Sequence, residues 1–217
     1  MDKDNQSYQN CGKHIFEGEG DYDIPFLAPV NIDVNGIPLI PFNYALTDRN
    51  QQDKICHFYI DDYQFDRVWN RPDAYLHLLS KYRAVLTPDF SKYTDFPKAV
   101  QIFQQYRQMW CGAYWQSHGI TVIPSLGWSD EESFDWCFDG VPHNSIVSIS
   151  TVGCLANKEY FAGWMEGYLK AMEVLSPSFI LFHGNIPNGL EIPCDYTVSP
   201  NWQSMRMKIN EKGRKHK

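Results

Sequence analysis

From Ile55 onward, short runs of β-branched and aromatic residues alternate with longer stretches of helical period, and each run ends in a polar, turn-forming cluster. The runs are ICHFYI (55–60), AVLT (84–87), ITVIP (120–124), SIVSIS (145–150) and SFILF (178–182). Such near-continuous apolar strings suit parallel strands covered on both faces. Their starts lie roughly 25 to 36 residues apart, room for a strand, a helix and two loops. The pattern predicts a right-handed βα series.

The helices carry their own punctuation. Pro72 and Pro97 suit first-turn positions, and SDEE at Ser129 to Glu132 reads as a capping box ahead of Phe134 and Trp136. Residues 97–119 predict a long helix that buries Val100, Phe103, Tyr106, Met109 or Trp110, and Ala113, and residues 157–177 predict another. Residues 1–54, rich in Pro and Gly, predict an irregular wrap with one strand near Ile37 to Phe42. The Pro-rich stretch 185–203 adds a last short strand at an edge. The expected fold is α/β: a small or incomplete parallel (βα) barrel-like fold, or alternatively an open doubly wound parallel sheet. The barrel is favoured because no glycine-rich phosphate turn follows the first strand.

Composition bounds this picture. With 217 residues and 43% hydrophobic content, the chain suits one continuous core, expected over residues 1–205. The formal charge of −7 is uneven: Met205 to Lys217 holds six Lys or Arg against one Glu, which leaves about −12 on the rest. Residues 206–217 are therefore expected to form a basic disordered tail, either solvated or in contact with nucleic-acid phosphates. The acidic body argues against a broad duplex-binding face. No apolar run approaches the roughly 18 residues of a spanning helix and the first ten residues lack a signal pattern, so the expectation is a soluble, cytoplasmic protein without a membrane partner. The six cysteines form no C-x-x-C pair, and Cys154, in the loop STVGCLAN, reads as a small apolar filler.

The blocks YIDDYQFDRVWNRP, LTPDFSKYTDFP, GAYWQSHGITVIPSLGWSDEESFDWCFDG and ISTVG resemble the motif blocks of a bacterial and phage protein family, a domain of unknown function carried on mobile elements. The resemblance spans about residues 36 to 184. It implies a mobile-element context and assigns no residue a role.

In barrels and open parallel sheets alike, ligands bind at the carboxyl ends of the strands, so the clusters that follow the five runs should gather round one mouth. Asp61 and Asp62 end the first strand, and alternation lets only one point into the mouth, to hold a divalent cation or act as a base. Helix capping or an Arg67 ion pair is the structural alternative. Asp89, in a Pro-Asp turn, is a metal ligand or general base, or else a turn cap; Ser91 and Tyr93 then contact ligand or cap the next helix. His183, at the fifth strand's end, can exchange a proton near neutral pH or ligate a metal. Trp128, beside the capping Ser129, can stack on a base or sugar ring or pack on the rim. Ser150, Thr151 and Gly153 could hold a phosphate, as could the turn at Gly184, yet Walker and G-x-G-x-x-G spacings are missing.

Two function classes remain. One is an enzyme that applies acid–base or metal-assisted chemistry to a nucleotide or nucleic-acid substrate through Asp89 and His183, with Asp61 or Asp62. The other is a non-catalytic protein that captures a small phosphorylated ligand or a macromolecular partner.

Overall fold

The computed structural model describes residues 12–200; Cys11 and the basic segment 206–217 lie outside them. A short antiparallel ladder, β1 (Gly18–Glu19) with β2 (Ile24–Pro25), opens the described chain. The strands β3 (Leu39–Pro41) and β4 (Ile55–His57) follow, then the short helices α1 (Arg67–Asn70) and α2 (Asp73–Leu79). β5 (Ala84–Leu86), α3 (Lys98–Ser117), β6 (Val122–Ile123) and β7 (Ser125–Leu126) come next. β8 (Ile146–Ser150), α4 (Lys158–Leu175), β9 (Phe179–His183) and β10 (Asp195–Ser199) complete the order.

Among the named strands, apart from the β1–β2 ladder, the pairings are parallel: one sheet runs β3-β4-β5-β6 and the other β7-β8-β9-β10. The α/β class therefore stands. In each sheet the strands keep chain order, without the reversal that marks a doubly wound sheet. Only Pro124 separates β6 from β7, and the chain passes from one sheet to the other there. The carbonyl of Ile123 accepts from Thr87 N at 3.0 Å, on the β5 side, and that of Pro124 accepts from Ser148 N at 2.9 Å, on the β8 side. Side chains of both sheets meet in one buried cluster of Leu39, Ile55, Ala84, Leu86, Ile123, Ile146 and Leu181.

The strands are shorter than their apolar runs, for a local reason. After His57 the Tyr59 N–H donates to His57 Nδ1 at 3.1 Å and the Ile60 N–H to the Phe58 carbonyl at 2.7 Å. Those donors turn back on the chain instead of extending the ladder.

Helix α3 departs from the expected stripe. Val100 and Phe103 are exposed, whereas Gln101, Gln104, Gln105 and Gln108 are buried. Loop carbonyls that lack ladder partners explain the exchange. Gln101 Nε2 donates to the carbonyls of Tyr93 and Phe96 at 3.1 and 2.9 Å, and Gln108 Nε2 to that of Ser125 at 2.6 Å. Gln116 pairs with both backbone groups of Ala28, on the N-terminal wrap. The Met109, Trp110 and Ala113 end of the stripe is buried as expected.

Two cap assignments also shift. Asp130, not Ser129, accepts from the Ser133 N–H at the start of the 3-10 turn Glu131–Asp135, and Ser129 Oγ donates to Gln101 Oε1 at 2.6 Å. Pro72 and Pro97 precede the first helical residue of α2 and α3, one position earlier than expected.

On α4, Gly167 lies under the Trp128 indole, where an added Cβ would fall 2.2 Å from ring atoms. In a free helix Gly→Ala gains about 1 kcal/mol, but overpacking of this kind costs about 1–3 kcal/mol. Gly167→Ala is expected to lower stability in urea unfolding, and to become neutral or stabilising when combined with Trp128→Ala. A stabilised Gly167→Ala single variant would show that the indole does not rest on this helix.

Candidate active site

Alternation along parallel strands decides what reaches the strand ends. Ile55, His57 and Tyr59 share one parity, as do Phe179, Leu181 and His183, and as do Ile146, Ser148 and Ser150. In each set the first residue is apolar, and at least the last is polar. A cavity of about 530 Å³ opens at the polar ends, lined by His57, Tyr59, Asp61, Asp89, Ser91, Tyr93, Ser150 and His183 among others.

The two histidines face each other, with ring centroids 4.7 Å apart, and Tyr59 stacks on His183 at 4.9 Å. Each histidine is 2% exposed. Burial, reinforced by His183, holds the His57 imidazole well below its ordinary pKa, and burial lowers His183 to about 4. Both rings are therefore neutral at physiological pH. Because His57 Nδ1 accepts the Tyr59 N–H, the neutral ring carries its proton on Nε2. His183 Nδ1 lies 3.3 Å from Ser150 Oγ, which itself accepts from Val152 N. The Tyr59 hydroxyl donates to Ser148 Oγ at 2.8 Å, and burial pushes its phenol up, so it remains protonated.

Asp89 behaves differently. Burial raises its carboxyl to about 6, opposed by Lys92 and supported by Asp62. Among the described residues it has no hydrogen-bonding partner, so it does not cap the Pro-Asp turn. The group that titrates near neutrality is thus Asp89 rather than His183, because the imidazole is too deeply buried to take up a proton there.

The other sequence-predicted residues divide. Asp61 lines the cavity and accepts from Gln64 Nε2 at 3.1 Å. Asp62 does not line it: its carboxylate accepts from Ser91 N and Oγ at 3.1 and 2.8 Å and lies 4.0 Å from Arg107, not Arg67. It fixes the loop that carries Asp89. Trp128 donates through Nε1 to the Gly163 carbonyl at 3.2 Å, and with Ser129 and Gly153 it lines a separate outer groove of about 1040 Å³. Thr151 is buried and bonds the His183 carbonyl through both N and Oγ1. Gly184, at φ 107°, leaves room for Thr151, whose Oγ1 would lie 2.5 Å from an added Cβ. These two residues join strand ends. Cys154 is buried, donates to the Thr151 carbonyl and has its thiol pushed up to about 11, as befits a filler.

Among the described residues, no group of three or more His, Cys, Asp or Glu side chains is placed to hold a metal ion. No helix among them is long and apolar enough to cross a membrane. Sequence reasoning missed His57, Tyr59 and Lys92. The signal for the first two was their two-residue spacing from Ile55; Lys92, buried in an apparently solvated loop, gave none.

The fold and site define an α/β protein with a polar cavity at the carboxyl ends of parallel strands. The chain belongs to the family described as Domain of unknown function (DUF4417), which matches residues 16–199. It is 34% identical over 209 residues to the Gene 1 protein of Mycobacterium phage L5, covering 92% of this chain and 88% of that one. It is 31% identical over 205 residues to the Gene 1 protein of Mycobacterium phage D29, covering 90% of this chain and 73% of that one. The phage connection suggested by the motif blocks thus holds at the level of the family. No solved structure matches the chain.

The raised Asp89 carboxyl fixes a sign for stability. With a folded pKa of about 6 against 3.8 for the free side chain, the native state binds more protons than the unfolded one between those values. Stability therefore falls as pH rises from about 4 to 6 and stays reduced above that range. Asp89→Asn is expected to match the wild type near pH 4 and to be more stable at pH 8, by about 1–2 kcal/mol. A variant less stable than wild type at pH 8 would mean that Asp89 is a structural group.

Proposed function

We propose that this protein is an enzyme that performs acid–base chemistry on a nucleotide or a nucleic-acid end, in the cavity between His57, His183 and Asp89. In this reading the two parallel sheets are segments of one incomplete (βα) barrel and the cavity is its mouth. Support comes from the sequential strand order, the buried cluster shared by both sheets, and the ring contact between His57 on β4 and His183 on β9.

The observation that carries the reading is the Asp89 carboxyl. It has no hydrogen-bonding partner among the described residues, titrates near 6, and opens on the same cavity as two neutral imidazoles. A general base works best when its pKa lies near the operating pH. Asp89 is assigned that role. His183 and His57 orient the ligand as neutral hydrogen-bonding groups, and Ser91, Tyr93 and Ser150 supply hydroxyls. The cavity volume of about 530 Å³ is in the range of small-molecule sites. With Asp61 and Asp89 on its wall, a phosphate inside would meet like charge, so the base or sugar enters and the phosphate stays at the rim.

The test is turnover of a panel of nucleosides, nucleotides and short oligonucleotides, followed by mass spectrometry. The wild-type rate should rise with pH to a plateau above about 6, and Asp89→Asn should depress it by about 10² or more in a folded protein. His183→Gln should lower the rate without moving the inflection. Binding of a panel member with no product from any variant would make the protein a binder and overturn the assignment.

A further inference from the structure

Beside the main cavity lies a second of about 350 Å³, lined by Asp89, Ser91, Lys92, Gly127, Ser150 and Trp164 among others. Lys92 is unusual within it. The residue is only 6% exposed, and among the described residues no carboxylate lies within ion-pairing distance of its Nζ. Its hydrogen bond goes to the neutral Gln108 Oε1, at 2.7 Å. Gln108 cannot turn the other way, because its Nε2 is committed to the Ser125 carbonyl at 2.6 Å and to Thr87 Oγ1 at 3.2 Å. Thr87 in turn accepts the Ser125 N–H at 2.8 Å. The end of the lysine is thereby fixed by a buried network.

Gly127 keeps the space in front of it open. A Cβ there would lie 3.4 Å from Asp89 Oδ1 and 3.5 Å from Lys92 Nζ, so both groups border the same gap. An amine and a carboxyl that share an opening without pairing form an arrangement suited to adding the amine to a carbonyl group. The charges facing Lys92 have opposing effects. Burial lowers its pKa, Asp89, Cys137 and Asp62 raise it, and Arg107 lowers it further, for a net decrease that favours the neutral, nucleophilic amine.

We propose that Lys92 is a nucleophilic amine that condenses with a hydroxyaldehyde or hydroxyketone held in this second cavity, with Asp89 as its proton shuttle. The Nζ lone pair forms a bond to the carbonyl carbon while the C=O π pair moves to oxygen; the Asp89 carboxylate takes a proton from the new ammonium and delivers it to that oxygen, giving a carbinolamine. Asp89 then takes up a proton from solvent and passes it to the hydroxyl. The nitrogen lone pair closes onto carbon as the C–O bond breaks, water leaves, and a protonated imine joins Nζ to the former carbonyl carbon, with Asp89 again a carboxylate. Ser91, Tyr93 and Ser150 also line this cavity, and their hydroxyls suit a ligand rich in hydroxyl groups. The inference goes beyond the acid–base reading above and does not require it; the two share Asp89 and the hydroxyls of Ser91, Tyr93 and Ser150, but Lys92 belongs to this one alone.

The experiment is reductive trapping of the full chain with glycolaldehyde and cyanoborohydride at neutral pH, followed by peptide mapping. Lys92 should be labelled at least tenfold faster than the exposed Lys81 and Lys158. Asp89→Asn supplies the second arm. Loss of a nearby negative charge makes Lys92 easier to deprotonate, so a merely deprotonated lysine would label faster in that variant. A lysine that depends on the shuttle should label several-fold more slowly, with Lys158 unchanged. Labelling of Lys92 no faster than Lys81 and Lys158 in the wild type would overturn the proposal, and faster labelling in Asp89→Asn would remove Asp89 from it. Neither readout needs nucleotide turnover, so failure here is distinguishable from failure of the acid–base reading.

Discussion

The two-residue repeat of parallel strands is the constraint on which the rest of this molecule depends. Positions of one parity run from Ile55 through His57 to Tyr59, and from Leu181 to His183; the apolar members join the cluster shared by both sheets, and the polar ones line the cavity. Apolar contact below and polar groups above are set by the same geometry. The low-dielectric surroundings keep both imidazoles neutral and raise Asp89, so packing and pKa have one cause.

The loops at the mouth depend on side chains for order. Asp62 holds Ser91 by two hydrogen bonds, Gln101 holds the carbonyls of Tyr93 and Phe96, and Gln108 holds Lys92. All three anchors lie behind the loop that carries Asp89. A residue with no hydrogen-bonding partner is kept in place because its neighbours are over-determined. That loop, introduced by Pro88, is held by its neighbours rather than by Asp89 itself.

Much of the fold was legible because buried parallel strands leave contiguous apolar runs, and every such run contains a strand. What was lost has physical reasons. The glutamines of α3 look solvent-facing by composition, and only the unpaired loop carbonyls opposite them explain their burial. Ser129 satisfies the spacing of a capping box, but its hydroxyl goes to Gln101, a partner distant in sequence. Asp89 and His183 could be expected at one cavity because strand ends are readable. His57 could not, since a histidine inside ICHFYI reads as strand interior, and Lys92 could not, since burial of one loop lysine depends on tertiary contacts that leave no local trace.

Burial at the strand ends is what raises the Asp89 carboxyl. The most direct measurement is a side-chain carboxyl NMR titration of aspartate-labelled protein, with the Asp89 resonance assigned by its loss in Asp89→Asn. A midpoint near 6, well above the ordinary 3.8 of a free aspartate, is expected. A midpoint near the ordinary 3.8 would contradict it, because the carboxyl would then be solvated and the cavity no more than an open rim.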